Sequence, residues 1–166
     1  MSKVMQSLTD VAVKIVVVLL VVSPINALAK VELVNTIQKI ERYVDEGGDL
    51  QRRMVDAESV VPGDELRYVV RFVNHGDQVV DAGTIVITDV IPEHTQYLQG
   101  TAFGPGTDIE FSVDGDGFAL PGELTHEDAT EQEVASPADY QSIRWTFSPE
   151  LKPGEASYVS FNVRLL

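Results

Sequence analysis

The chain has 166 residues, too few for a multidomain machine and enough for one domain of ordinary size. Its 23% charged and 44% hydrophobic residues exclude a disordered chain, and a formal charge of −14, from 26 Asp plus Glu against 12 Lys plus Arg, argues against general nucleic-acid binding. It has no Cys, which excludes a disulfide framework, a thiolate zinc site, a cysteine nucleophile and a lipid-modified cysteine.

Lys3 and Lys14 precede a dense apolar run, Ile15 to Val22. Eight residues fall well short of the roughly 20 that a spanning helix needs. Pro24 and Asn26 break the run, and Ala27-Leu28-Ala29 supplies the small-x-small pattern of a signal-peptidase site. Residues 1–29 therefore read as a signal peptide cleaved after Ala29, leaving residues 30–166 as one domain. A retained anchor starting at Val11 is the competing reading, and it has to bury Lys14 and tolerate Pro24. Cleavage removes Lys3, Lys14 and Asp10 and leaves the mature chain more acidic still, a charge that keeps a protein soluble and repels anionic lipid.

The segment Val31 to Val44 is ambiguous. Leu33, Ile37, Ile40 and Val44 recur at helical spacing, yet Val34, Thr36, Ile40 and Val44 also suit a strand. Gly47-Gly48 looks like a hairpin turn with Leu50 to Val55 as the return. Pro62-Gly63-Asp64 then turns the chain into Glu65 to Val73, where Leu66, Tyr68, Val70 and Phe72 alternate with Glu65, Arg67 and Arg71. Asn74-His75-Gly76-Asp77 closes that strand with residues tolerant of left-handed backbone.

Gly83 to Ile91 reads as the next strand, with Ile85 and Ile87 on one face and Thr84, Val86 and Thr88 on the other, stopped by Pro92. Gln96 to Leu98 leads into a Gly-rich stretch, Gly100 to Gly106. Ile109, Phe111 and Val113 alternate before the turn Gly115-Asp116-Gly117. The acidic stretch Glu123 to Glu133 reads as a solvated loop. Ser142 to Phe147 aligns Ile143, Trp145 and Phe147, and Ser157 to Leu165 aligns Val159, Phe161, Val163 and Leu165. Short alternating strands punctuated by Gly and Pro predict an all-β sandwich.

Several segments together resemble a known family. Val61-Pro62-Gly63-Asp64-Glu65-Leu66-Arg67-Tyr68 followed by Val73-Asn74-His75-Gly76 is similar to the opening of the bacterial conserved-repeat proteins, also called domain-of-unknown-function-eleven proteins. Ile87-Thr88-Asp89-Val90-Ile91-Pro92, Tyr97 to Ala102, Phe111 to Gly115, Ile143 to Thr146, Leu151 to Gly154 and Val159 to Arg164 fit in order. The resemblance spans about residues 31 to 165. It implies an Ig-like antiparallel β-sandwich in a secreted or cell-envelope protein, an extended strand or hairpin for residues 30–55, and no catalytic motif to carry over.

Candidate sites are few. His75, His94 and His126 fall on separate turns without metal-ligand spacing. Asp114 and Asp116 on a Gly-rich turn are the one calcium candidate, although Asp-Gly is first of all a hairpin signal. No nucleophile elbow or phosphate loop is present, so an enzyme is not expected and no other cofactor is called for. Trp145 reads as core, and Arg67 and Arg71 as a solubilising face or a cross-strand ladder with acidic neighbours.

The expected role is a secreted, non-catalytic structural or interaction module, self-assembling by β-strand addition. Leu33, Val34, Ile37 and Ile40 mark the candidate assembly strand, which needs a sheet along its length, its own or a neighbour's. The alternative is a soluble periplasmic binding or accessory protein that uses the loops at the sandwich end. Partners are then a second copy or another envelope protein, in the periplasm or outside the cell, with no nucleic acid and no stable membrane insertion after cleavage.

Overall fold

The computed structural model describes residues 30–125 and 134–166. Residues 1–29, read above as a signal peptide, lie outside the described residues, as do His126 and most of the acidic stretch. No described residue is helical. Eight strands follow in order: β1 Val31–Val44, β2 Leu50–Asp56, β3 Glu65–Asn74, β4 Ile85–Val90, β5 Thr95–Tyr97, β6 Thr107–Ser112, β7 Ser142–Phe147 and β8 Ala156–Leu165. They form a five-stranded sheet, β2-β1-β3-β8-β5, packed on a three-stranded sheet, β4-β7-β6, all antiparallel. This is the expected all-β sandwich.

Its frame is one long ribbon. β3 pairs with β8 from Glu65↔Arg164 to Val73↔Ala156, and β4 pairs with β7 from Ile85↔Phe147 to Val90↔Ser142. Between these ladders the ribbon bends from one sheet to the other. Val80 and Leu151 exchange both backbone bonds there, at 2.9 and 3.0 Å. Asn74 sits at the bend, fully buried. Its Nδ2 donates to Gln78 O (2.7 Å) and Leu151 O (2.9 Å), and its Oδ1 accepts from Gly76 N–H (2.9 Å). The expectation of left-handed backbone here is corrected. Among non-glycine residues described, only His94 has positive φ, at 62°, so Asn74 opens this turn through its side chain and not through left-handed backbone.

Alternation builds the core. Leu66, Tyr68, Val70 and Phe72 of β3 and Val159, Phe161 and Val163 of the adjacent β8 face Ile143, Trp145 and Phe147 of β7 in the other sheet, within one buried cluster. Tyr68 stacks on Phe161 at 5.1 Å, and Phe72 meets Phe147 edge-on at 5.2 Å. Trp145 is 1% exposed, as read from its apolar face.

β1 resolves the ambiguous segment as a strand. Residues Val31 to Ile40 pair with the chain's own β3, and Gln38 to Val44 pair with β2. The choice between its own sheet and a neighbour's is thus made: Leu33 and Ile37 pack on the protein's own core. Ile40 is buried on the opposite side of the same strand, in the row of Met54, Glu65 and Arg164. Val34 stays exposed. The hairpin turn is the expected one. Gly48 N–H bonds Asp45 O, Asp45 N–H bonds Asp49 O, and Gly48 has φ 86°, the left-handed third position of a three-residue loop.

Candidate functional site

Two features of the sandwich stand out: an open sheet edge with the face beside it, and a small aromatic cavity at one end.

β2 ends the larger sheet. The Asp45 N–H to Asp49 O bond makes 45:49 a bonded pair, and bonded pairs alternate along an antiparallel ladder. Gln51, Arg53 and Val55 therefore bond to β1. Leu50, Arg52, Met54 and Asp56 turn their N–H and C=O groups outward. The same parity follows from the other side of β1, where Lys30 O accepts from His75 N–H and the even residues bond to β3. The outward edge is free of Pro and carries exposed Leu50 and Met54.

The outer face of this sheet concentrates positive charge in an acidic protein. Arg42, Arg52, Arg67, Arg71 and Arg164 share it, with Glu32, Glu65 and Asp56 as its acids. Glu65 holds a centre between Arg42 and Arg164, the latter at 2.9 Å. Burial alone raises the Glu65 carboxyl, but bonds from Arg164 and Arg42 outweigh it and hold the group below its ordinary range. Arg67 and Arg71 do not form a ladder with acids. Across the strands Arg67 lies between Gln38 and Asn162 and reaches Ser160 Oγ at 3.3 Å, and Arg71 lies between Val34 and Tyr158. Phe103, half exposed, packs on Tyr158 at 5.9 Å and extends the apolar part of this face.

A cavity of about 270 Å³ opens at the sandwich end, between the Gly-rich loop and the ends of the acidic loop. Tyr97, Phe111, Tyr140, Pro121 and Pro137 line it, with Gln99 and Gly100 at one side. Its aromatic rings touch one another, Phe111 and Tyr140 at 4.6 Å and Tyr97 and Phe111 at 5.4 Å. Burial raises the Tyr140 hydroxyl above its usual value, with Tyr97 and Asp139 adding to it. The acidic stretch is not wholly solvated: Leu124 within it is buried, and its carbonyl accepts from Ala135 N–H at 2.8 Å. The count of acids hid that single apolar anchor.

The Asp-Gly turn takes the hairpin role. Asp114 Oδ1 accepts from Asp116 N–H and Gly117 N–H and from Ser112 Oγ–H, all within 2.9 Å. The two backbone donors and the Ser112 bond hold its carboxyl below the usual range. Among the described residues no group of three or more His, Cys, Asp or Glu is placed to hold a metal ion. His75 is exposed and lies 3.0 Å from Glu32, and His94 is exposed in the turn before β5.

One buried charge escaped the reading of the sequence. Asp89 shares the core face of β4 with Ile85 and Ile87 and is 1% exposed. Its Oδ1 accepts from Val90 N–H at 3.0 Å, and its Oδ2 has no partner. Burial pushes its carboxyl up to about 6, with the Val90 bond pulling the other way. A Thr-Asp dipeptide in a Val/Ile-rich run was the available signal, since an acid at an inward parity position is unusual.

No family model, no curated protein and no solved structure matches the chain.

Proposed function

We propose that this chain is an exported, non-catalytic structural or interaction module that works outside the cytoplasmic membrane. It joins a second copy, or another envelope protein, by β-strand addition at the open edge of its larger sheet. The observation that carries this reading is β2, an edge strand whose Leu50, Arg52, Met54 and Asp56 present unpaired backbone groups beside exposed apolar side chains. β1, the strand first expected to add to a neighbour, is engaged in its own sheet, so the task passes to the strand beyond it. The signal-like residues 1–29 and the ordered resemblance to conserved-repeat envelope proteins support export and an Ig-like module.

Fractionation of expressing cells tests the location. The protein is expected outside the cytoplasm with Lys30 as its first residue. Recovery in the cytoplasm or inner membrane with an intact N-terminus contradicts it.

A second reading has a specific observation in its favour. The aromatic cavity lies where the two loops at the sandwich end converge, and it suits a small apolar or proline-containing ligand. Native mass spectrometry of the exported protein checks it. A bound mass present in the parent protein and lost in Tyr140→Ala supports this reading, and ligand-free protein from every preparation removes it.

A further inference from the structure

Resting on the strand-addition reading above, we propose that the partner at β2 is a second copy of this chain. The two β2 strands lie antiparallel about a twofold axis at Met54, which sets Arg52 of each copy against Asp56 of the other.

The register follows from the residues. Only even residues of β2 turn N–H and C=O outward, so an added antiparallel β2 strand must pair even residues with even ones, which places the twofold axis on a residue and not between two. An axis at Arg52 opposes Arg52 to itself. An axis at Arg53 opposes Arg53 to itself, and an axis at Val55 leaves only Met54 to Asp56 overlapping. An axis at Met54 pairs Met54 with Met54, Arg53 with Val55, and Arg52 with Asp56 twice. That register alone sets opposite charges directly across the ladder, over an overlap of residues 52–56.

Charge within one copy points the same way. Arg52 stands across from Arg42, a like charge that is itself occupied by Glu65. Among the described residues neither Arg52 nor Asp56 forms an ion pair. Each has what the other lacks, and the twofold brings them together on one face. Met54, 44% exposed in one copy, is covered by its equivalent. The outer face beside this edge carries five arginines against three acids, so the excess acid of the two copies is not concentrated where they meet.

The absence of Cys makes the test clean. Exported Met54→Cys protein under mild oxidation is expected to form a disulfide-linked dimer. A bonded pair holds its Cα atoms about 5.5 Å apart, within disulfide reach. Arg53→Cys, whose equivalents lie diagonally across, is expected to cross-link little. In parallel, Arg52→Asp and Asp56→Arg are each expected to weaken dimerisation about tenfold, by turning two attractive pairs into repulsive ones. The double exchange is expected to restore it. All these positions are on the exposed edge, and circular dichroism checks that each variant folds.

Association of the parent protein that Met54→Cys does not capture and charge exchange does not move overturns this interface while leaving the module reading in place. A parent protein that stays a single chain, and that captures another protein through a photo-cross-linker at Gln51, overturns self-pairing and keeps strand addition. A single chain that captures nothing there overturns both.

Discussion

Asp89→Asn is expected to stabilise the protein by about 2 kcal/mol at pH 8 and to change little at pH 4. The carboxyl is neutral in the fold up to about 6, whereas in the unfolded chain it ionises from its ordinary 3.8. Its folded value is raised, so the neutral form is the one the fold favours. Stability tied to Asp89 is fully present below about 3.8 and is lost as pH rises through about 6. At 1.36 kcal/mol per unit, the loss is about 3 kcal/mol once both values are passed. The amide keeps the bond from Val90 N–H and removes the buried charge, and the cost of its own unmatched N–H group accounts for the smaller expected gain. Carboxylates such as Glu65, Asp64 and Asp114 are held low and act in the opposite direction, so the informative quantity is the difference between variant and parent. Urea unfolding of both proteins at pH 4, 6 and 8 measures it. Equal pH slopes contradict a charged, unpartnered Asp89 in the core.

Asn74→Ala is expected to cost about 3 kcal/mol, the loss of three hydrogen bonds from a fully buried side chain. The side chain ties the end of β3 to Leu151 across the bend that carries the ribbon between sheets, and it ties the following turn to itself. Its removal leaves Gln78 O and Gly76 N–H without the bonds they had. Asn74→Asp is expected to be at least as damaging at neutral pH, since a carboxylate then faces two carbonyl oxygens, and to recover partly in acid as it protonates. Thermal unfolding gives the answer, with a drop of roughly 10 °C expected for the alanine variant. A change under 2 °C, about half a kcal/mol on the same scale, contradicts the clamp.

The strands that bury one face were legible. β3, β7 and β8 alternate over six or more residues, and their inward sets are the buried ones. β1 was not, for a physical reason. Its buried side changes along its length, with Leu33 and Ile37 facing the core and Ile40 covered on the outer side. That switch inserts a step of three between Ile37 and Ile40 and so imitates a helix. The fate of Arg67 and Arg71 depended on register: the sequence places them on the outward face, but only the pairing of β1 and β8 with β3 shows Gln38, Asn162, Val34 and Tyr158 as their neighbours. The open edge was equally hidden, because which side of β2 is bonded depends on the hairpin geometry and not on its composition. Asp89 and Asn74 were passed over for a shared reason. Polar residues inside strand and turn patterns read as surface, and only the packing shows that both are sealed in.

The acidic sandwich is expected to associate through its open edge. Sedimentation equilibrium of the purified protein over a wide concentration range is the most direct measurement of it. The expected result is a mass that rises from one chain to two with concentration, and that remains near one chain over the same range in Arg52→Asp. A single-chain mass at every concentration contradicts it.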